Sequence, residues 1–148
     1  LKRLLFTVVL PLSIISFALI TKWWYALPAD APGTIYYGFP FPFVANGWHT
    51  SMSLQIFVAE FALDFLLYFF ICFFMVYCIQ NYLLEIKPSK IGTIVLWSLA
   101  TIIIVGALFI ASSPDHLIYL RRTDAIEIKE SGLKFLWQQV PRLSNETR

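Results

Sequence analysis

Two carboxylates sit inside a stretch of sequence that otherwise belongs in lipid. Glu60 and Asp64 interrupt the apolar run 54–80. Their spacing puts them on one face of a helix, with Ser53 to one side and Tyr68 to the other. An acidic side chain at the centre of a bilayer costs about 2.5–3.5 kcal/mol, so such groups turn towards protein or water and mark where function is sought. Two chemistries follow. A carboxylate that is protonated, or paired with a lysine, anchors its helix to a neighbour, and Lys22, at the end of the first apolar segment, is the available cation. A pair that stays ionisable passes protons or holds a cation, with Asp64 bearing the ion and Glu60 as relay. The second chemistry needs polar partners on other spans. The first and third apolar segments offer only hydroxyls and small residues, which suit helix packing better than conduction.

The remaining reactive side chains point to less. His49 and His116, with Asp115 beside the latter, are residue types that ligate metals, but their spacing is long and neither histidine belongs to a local ligand motif. No metal site and no cofactor are expected. Cys72 and Cys78 lie about 240° apart around a helix, so they cannot act as a Cys-x-x-Cys thiol pair and read as small hydrophobes. The chain carries no Walker loop, no Gly-x-Ser-x-Gly elbow and no His-Glu-x-x-His. Catalysis is therefore not expected; an enzyme acting on lipid through His49 or His116 is the weakest of the readings. The triplet Asn145-Glu146-Thr147 fits a glycosylation pattern short enough to arise by chance.

The elements that would position these residues follow from composition. Of 148 residues, 59% are apolar and 14% charged, against roughly 25% charged in a soluble domain. A core of this size cannot hide so much apolar surface, so lipid is the expected solvent. A net charge of +2, with no basic stripe among the aromatics, excludes a nucleic-acid partner. Lys2-Arg3 followed by an apolar run has the order of a signal sequence or anchor, and a retained anchor is expected. Pro11 within it is tolerable in a membrane helix.

The sequence thus predicts an all-α integral membrane protein. It has about three transmembrane helices at roughly 4–22, 54–80 and 91–112, with Thr50 or Ser51 as N-cap of the second. Residues 23–53, rich in proline and glycine, read as an interfacial loop. Trp23, Trp24, Tyr36, Tyr37, Phe39, Phe41, Phe43 and Trp48 supply rings suited to the headgroup level or to a partner. The run Phe39-Pro40-Phe41-Pro42-Phe43 puts all three rings on one side if extended, or fans them out as polyproline II. The transmembrane region covers 1–113, and 114–148 is a solvated tail. Within that tail Ala125-Ile126-Glu127-Ile128-Lys129 alternates like a strand, with either a hairpin turning at Ser131-Gly132 or a helix on the membrane surface.

Basic residues near the spans place the N-terminus in the cytoplasm, with Lys2, Arg3, Lys87 and Lys90 inside and Lys22, Arg121 and Arg122 outside. That arrangement suits a multi-pass protein of the inner membrane, its tail on the outer or periplasmic side. The function expected is a small accessory or structural subunit of a larger integral membrane complex, holding partner helices through the acidic pair and the aromatic loop. The alternative is a proton- or cation-coupling component of a channel, transporter or motor using Glu60 and Asp64.

Overall fold

The computed structural model describes residues 2–28, 33–47, 53–83, 87–122 and 126–135. Three helices are joined to a six-stranded mixed sheet among these residues, so the fold is α+β and the all-α expectation is corrected. The first helix, α1, starts as Lys2–Leu4, passes through a π-helical turn at Leu5–Val9 and continues as Leu10–Leu19. The second, α2, is Val58–Cys78 with a π-helical end at Ile79–Leu83. The third, α3, is Lys90–Ala111. The strands are β1 (Ile20–Pro28), β2 (Thr34–Tyr37), β3 (Val44–Asn46), β4 (Leu54–Phe57), β5 (Leu117–Tyr119) and β6 (Ile126–Phe135), in the order β5-β4-β3-β2-β1-β6. All neighbours are antiparallel except β4 and β5.

The sheet lies in the stretch that reads as an interfacial loop, and the reason is local. Ile20 to Tyr25 are β-branched, aromatic or long-chain residues that pack well on a pleated surface. The prolines and glycines stand mostly between strands: Gly33 precedes β2, Gly38, Pro40 and Pro42 link β2 to β3, and Gly47 follows β3. They punctuate a sheet there rather than dissolve it. Within 114–148 the described residues include β5 and β6, which form the two edges of the same sheet with most of their side chains exposed. Ser131 and Gly132 do not turn a hairpin; they pair with Trp24 and Trp23 inside the continuous β6. Charged Glu127, Lys129 and Glu130 stand exposed along that edge strand, which discourages further strand pairing.

Two helices are long and apolar enough to cross a membrane, Val58–Leu83 with 26 residues and Lys90–Ala111 with 22. The apolar helix Leu5–Leu19 is shorter, so the expected three spans become two by this measure. The boundaries move as well. α1 ends at Leu19 and Lys22 belongs to β1, while Leu54–Phe57 of the expected second span is strand β4. Strand runs into helix without a linker at Phe57/Val58, and helix into strand at Leu19/Ile20. Ser51 and Thr50, the expected caps, lie outside the described residues; the helix begins at Phe57 with no side-chain cap. In α3, by contrast, Ser89 Oγ accepts from the Gly92 N–H at 3.0 Å.

Pro11 explains how α3 attaches. In the π-helical turn the Leu10 N–H bonds to the Leu5 carbonyl, so the next acceptor, the Phe6 carbonyl, would be served by the nitrogen of residue 11. That residue is proline and has no hydrogen to give. The Trp97 indole Nε1–H of α3 donates to the Phe6 carbonyl instead, at 3.1 Å. Replacing Trp97 by Phe is expected to cost about 1 kcal/mol in detergent unfolding. In a Pro11→Ala background, where the helix can supply its own donor, the cost should shrink. Equal costs in the two backgrounds, measured as a double-mutant cycle, would refute this account.

Candidate functional site at the helix–sheet junction

Glu60, Asp64, Tyr68, Cys72 and Val76 recur every fourth residue of α2 and form one stripe facing the rest of the chain. Each holds a different part of it. Glu60, in the first turn, accepts from the Arg122 backbone N–H through Oε1 at 3.2 Å, while the Ala59 N–H donates to the Leu120 carbonyl at 3.0 Å. Asp64 is wholly buried, and its Oδ1 accepts from the Phe41 N–H at 3.0 Å. The Tyr68 hydroxyl donates to the Ile20 carbonyl at 2.8 Å, where α1 turns into β1. Cys72 Sγ lies 3.9 Å from Ser16 Oγ, and Cys72 and Val76 share an apolar cluster with Val9. The helical spacing read from the sequence is therefore real, and it serves to bolt α2 to the sheet, the tail and α1.

Lys22 does not join the acidic pair. Its ammonium stands 3.6 Å from the centroid of the Trp24 ring, and no ion pair links it to Glu60 or Asp64 among the described residues. Arg122 does meet Glu60, but through its backbone N–H and not its guanidinium. Arg122 Nη1, Glu60 Oε2 and Asp64 Oδ2 are buried without hydrogen-bond partners among the described residues. The Phe39 amide faces the Asp64 carboxylate as well, without completing a second bond.

The aromatic segment is divided between the sheet and one fixed loop. Trp23 covers Gly132, where an added Cβ would stand 2.8 Å from the indole Nε1. Tyr36 is buried with Ala26, Ala45 and Phe57 in the core of the sheet, and Trp24 packs against that cluster. The loop from Gly38 to Phe43 is held along its length. Gly38 N–H donates to the Lys22 carbonyl at 2.9 Å, and the Trp24 indole donates to the Gly38 carbonyl at 2.8 Å. Phe43 N–H donates to the Tyr37 carbonyl at 2.9 Å, and the Phe43 carbonyl accepts from Phe57 N–H at 2.8 Å. With Asp64 on Phe41, the loop is tied at both ends and in the middle. Its three phenylalanines neither line one side nor all sit buried. Phe39 and Phe41 are 37% and 47% exposed, while Phe43 turns inward and stacks on Phe17 at 5.2 Å.

Phe17 is a residue that sequence reasoning misses. It also meets Phe61, Phe65 and Tyr68 edge-on at 5.2–5.8 Å, which makes it the hub of the junction. Nothing in the local pattern of α1 distinguishes it from its apolar neighbours. Beside this hub, between helices and sheet, lies a partly open cleft of about 690 Å³, whose lining includes Ala18, Ala107, Thr21, Tyr37 and Lys134. Burial pushes the Tyr37 phenol above its ordinary value, so it stays a neutral hydroxyl.

His116 serves the architecture: its Nδ1 accepts from the Leu54 N–H at 3.2 Å, at the start of β4. Asp115 is exposed beside it. His49 and Trp48 lie outside the described residues, and among those described no group of three His, Cys, Asp or Glu is placed to hold a metal ion. No protein-family model matches the chain, and comparison with curated proteins and with solved structures finds no match.

Proposed function

We propose that the chain is an integral membrane protein acting as an accessory subunit of a larger membrane complex, docking through the rings of Phe39 and Phe41. The observation that carries this reading is the fixed loop, which presents two exposed phenylalanines on a backbone tied down by Trp24, Phe57 and Asp64. A preorganised pair of aromatic anchors loses little entropy on binding and is the usual centre of an interface. The acidic pair contributes from within: Asp64 holds the loop through the Phe41 N–H, and Glu60 holds the Arg122 backbone beyond β5.

In this reading α2 and α3 cross the inner membrane, with α1 packed against both. Lys2, Arg3, Lys87 and Lys90 lie at the cytoplasmic end and the sheet on the outer side. The test is purification of the tagged full chain in mild detergent, followed by mass spectrometry of what stays bound. A stoichiometric larger membrane protein is expected, and the Phe39→Ala, Phe41→Ala double variant should retain it at least about tenfold less. A chain that purifies alone, or a double variant that keeps its partner, would refute the reading.

One observation favours a second reading. The buried oxygens Glu60 Oε2 and Asp64 Oδ2, together with Arg122 Nη1, have no partners among the described residues. Groups of this kind suit a proton- or cation-coupling role. That role requires an activity lost in Asp64→Asn while assembly stays intact.

A further inference from the structure

The cleft at the junction is amphipathic in a way that fits one class of molecule. Its walls are the last turns of α1, the first turns of α2 and the last turns of α3, contributing among others Phe17, Ala18, Phe65, Ile103 and Ala107. Its roof is the sheet, and there the polar groups gather. Thr21 and Lys134 are direct partners across the β1–β6 ladder, and Tyr37 is brought onto the same face by its pairing with Trp23. The Lys134 ammonium stands 4.6 Å from the centroid of the Tyr37 ring, and no carboxylate among the described residues pairs with it. The hydroxyls of Thr21 and Tyr37 have no hydrogen-bond partner among the described residues. The volume, about 690 Å³, lies within the ~300–1,000 Å³ typical of small-molecule sites.

We infer that this cleft binds one anionic phospholipid, an acyl chain lying among the helices and the phosphate held by Lys134 with the hydroxyls of Thr21 and Tyr37. Position and charge both lead to this occupant. If α2 and α3 cross a bilayer, the helical part of the cleft lies at the depth of the acyl chains and the sheet at the depth of the headgroups. A lysine that pairs with no carboxylate among the described residues, with two hydroxyls on the same face at that level, is complementary to a phosphate, and its positive charge disfavours a second cation. A choline headgroup shares the phosphate but carries its own positive charge, so the site prefers a lipid with net negative charge. The inference requires only that the helices lie in a bilayer, and it stands whether or not a partner protein docks on Phe39 and Phe41.

Native mass spectrometry of the full chain in detergent tests it, with phosphatidylglycerol and phosphatidylcholine titrated separately. Wild type should retain one phosphatidylglycerol at about tenfold lower concentration than phosphatidylcholine. Lys134→Gln should abolish that preference, and Ala107→Phe, which fills the cleft from α3, should lose both lipids while keeping the wild-type circular dichroism. Inorganic phosphate alone should not compete, since the acyl chain supplies much of the binding. Equal retention of both lipids by wild type would overturn the inference, as would undiminished binding in Ala107→Phe, which would mean annular lipid. Competition by inorganic phosphate would reduce the site to an anion site and overturn the lipid assignment. Loss of the partner complex with lipid retention intact would bear on the docking proposal alone.

Discussion

Gly38→Val is expected to abolish the folded state or to cost more than about 4 kcal/mol, a size of effect reserved for a few physical causes. Two of them act together here. Gly38 has φ of +148°, a backbone region that side-chain-bearing residues rarely adopt. A Cβ at this position would also overlap the Phe41 carbonyl oxygen and stand 2.8 Å from both Phe43 N and Phe43 Cδ1. These are backbone atoms and the base of a packed ring, not the ends of flexible side chains, so nothing can move aside cheaply. The carbonyl of the same glycine receives the Trp24 indole and its N–H serves Lys22, so displacing it breaks the loop from the sheet. Gly38→Ala should show most of the effect. The contrast is Gly106→Ala on α3, where an added Cβ meets nothing within 4 Å. Relief of helix entropy there should stabilise by about 0.5–1 kcal/mol. SDS-titrated unfolding in mixed micelles measures both, and a Gly38→Ala protein as stable as wild type would show that the loop is not built as described.

Asp64→Ala should be the next most damaging single change, at about 2–4 kcal/mol. It leaves the Phe41 N–H without its acceptor and opens a void in a site with no exposed surface. Asp64→Asn keeps an oxygen for Phe41 and nearly the same volume, so it should cost clearly less. The order Ala worse than Asn follows from an anchoring carboxyl group. If Asn proves as damaging as Ala in unfolding, the negative charge matters more than the hydrogen bond, and the coupling reading gains ground. Because the same loop carries Phe39 and Phe41, Asp64→Ala should also reduce partner retention, an effect separable from instability by comparison with Trp97→Phe, which loosens α3 without touching the loop.

The helices are largely legible in the sequence and the sheet is not, for a physical reason. An unbroken apolar run is a local property, so the extents of α2 and α3 emerge from composition within a few residues of their observed ends. The four-residue recurrence of Glu60, Asp64 and Tyr68 is likewise readable, because helical periodicity is a local property. Residues 23–53 mislead because tryptophan and tyrosine serve equally as interface anchors and as strand formers. Only the tertiary pairing decides between those roles. Besides the neighbouring β2, the partner of β1 is β6, at the far end of the described chain, and no local window contains both. The short alternation around Ile126 and Ile128 does signal a strand, yet nothing nearby names its neighbour. The same limit hides Arg122, which meets Glu60 through its backbone, and Lys134, which enters the cleft only because β6 lies against β1.

The pairing of Ile20 with Phe135 also sets a timetable for biogenesis. β1 is made before α2, α3 and β6, so one of its two edges stays open until those helices have been made and β6 has arrived. In that interval Trp23, Trp24 and Tyr25 stand along an unpaired edge, the kind of surface on which nascent chains associate with one another. A chain halted anywhere between the helical hairpin and β6 would keep that edge open indefinitely. Quality-control proteases would thus meet a clear mark of incompleteness, erased only when β6 closes against β1.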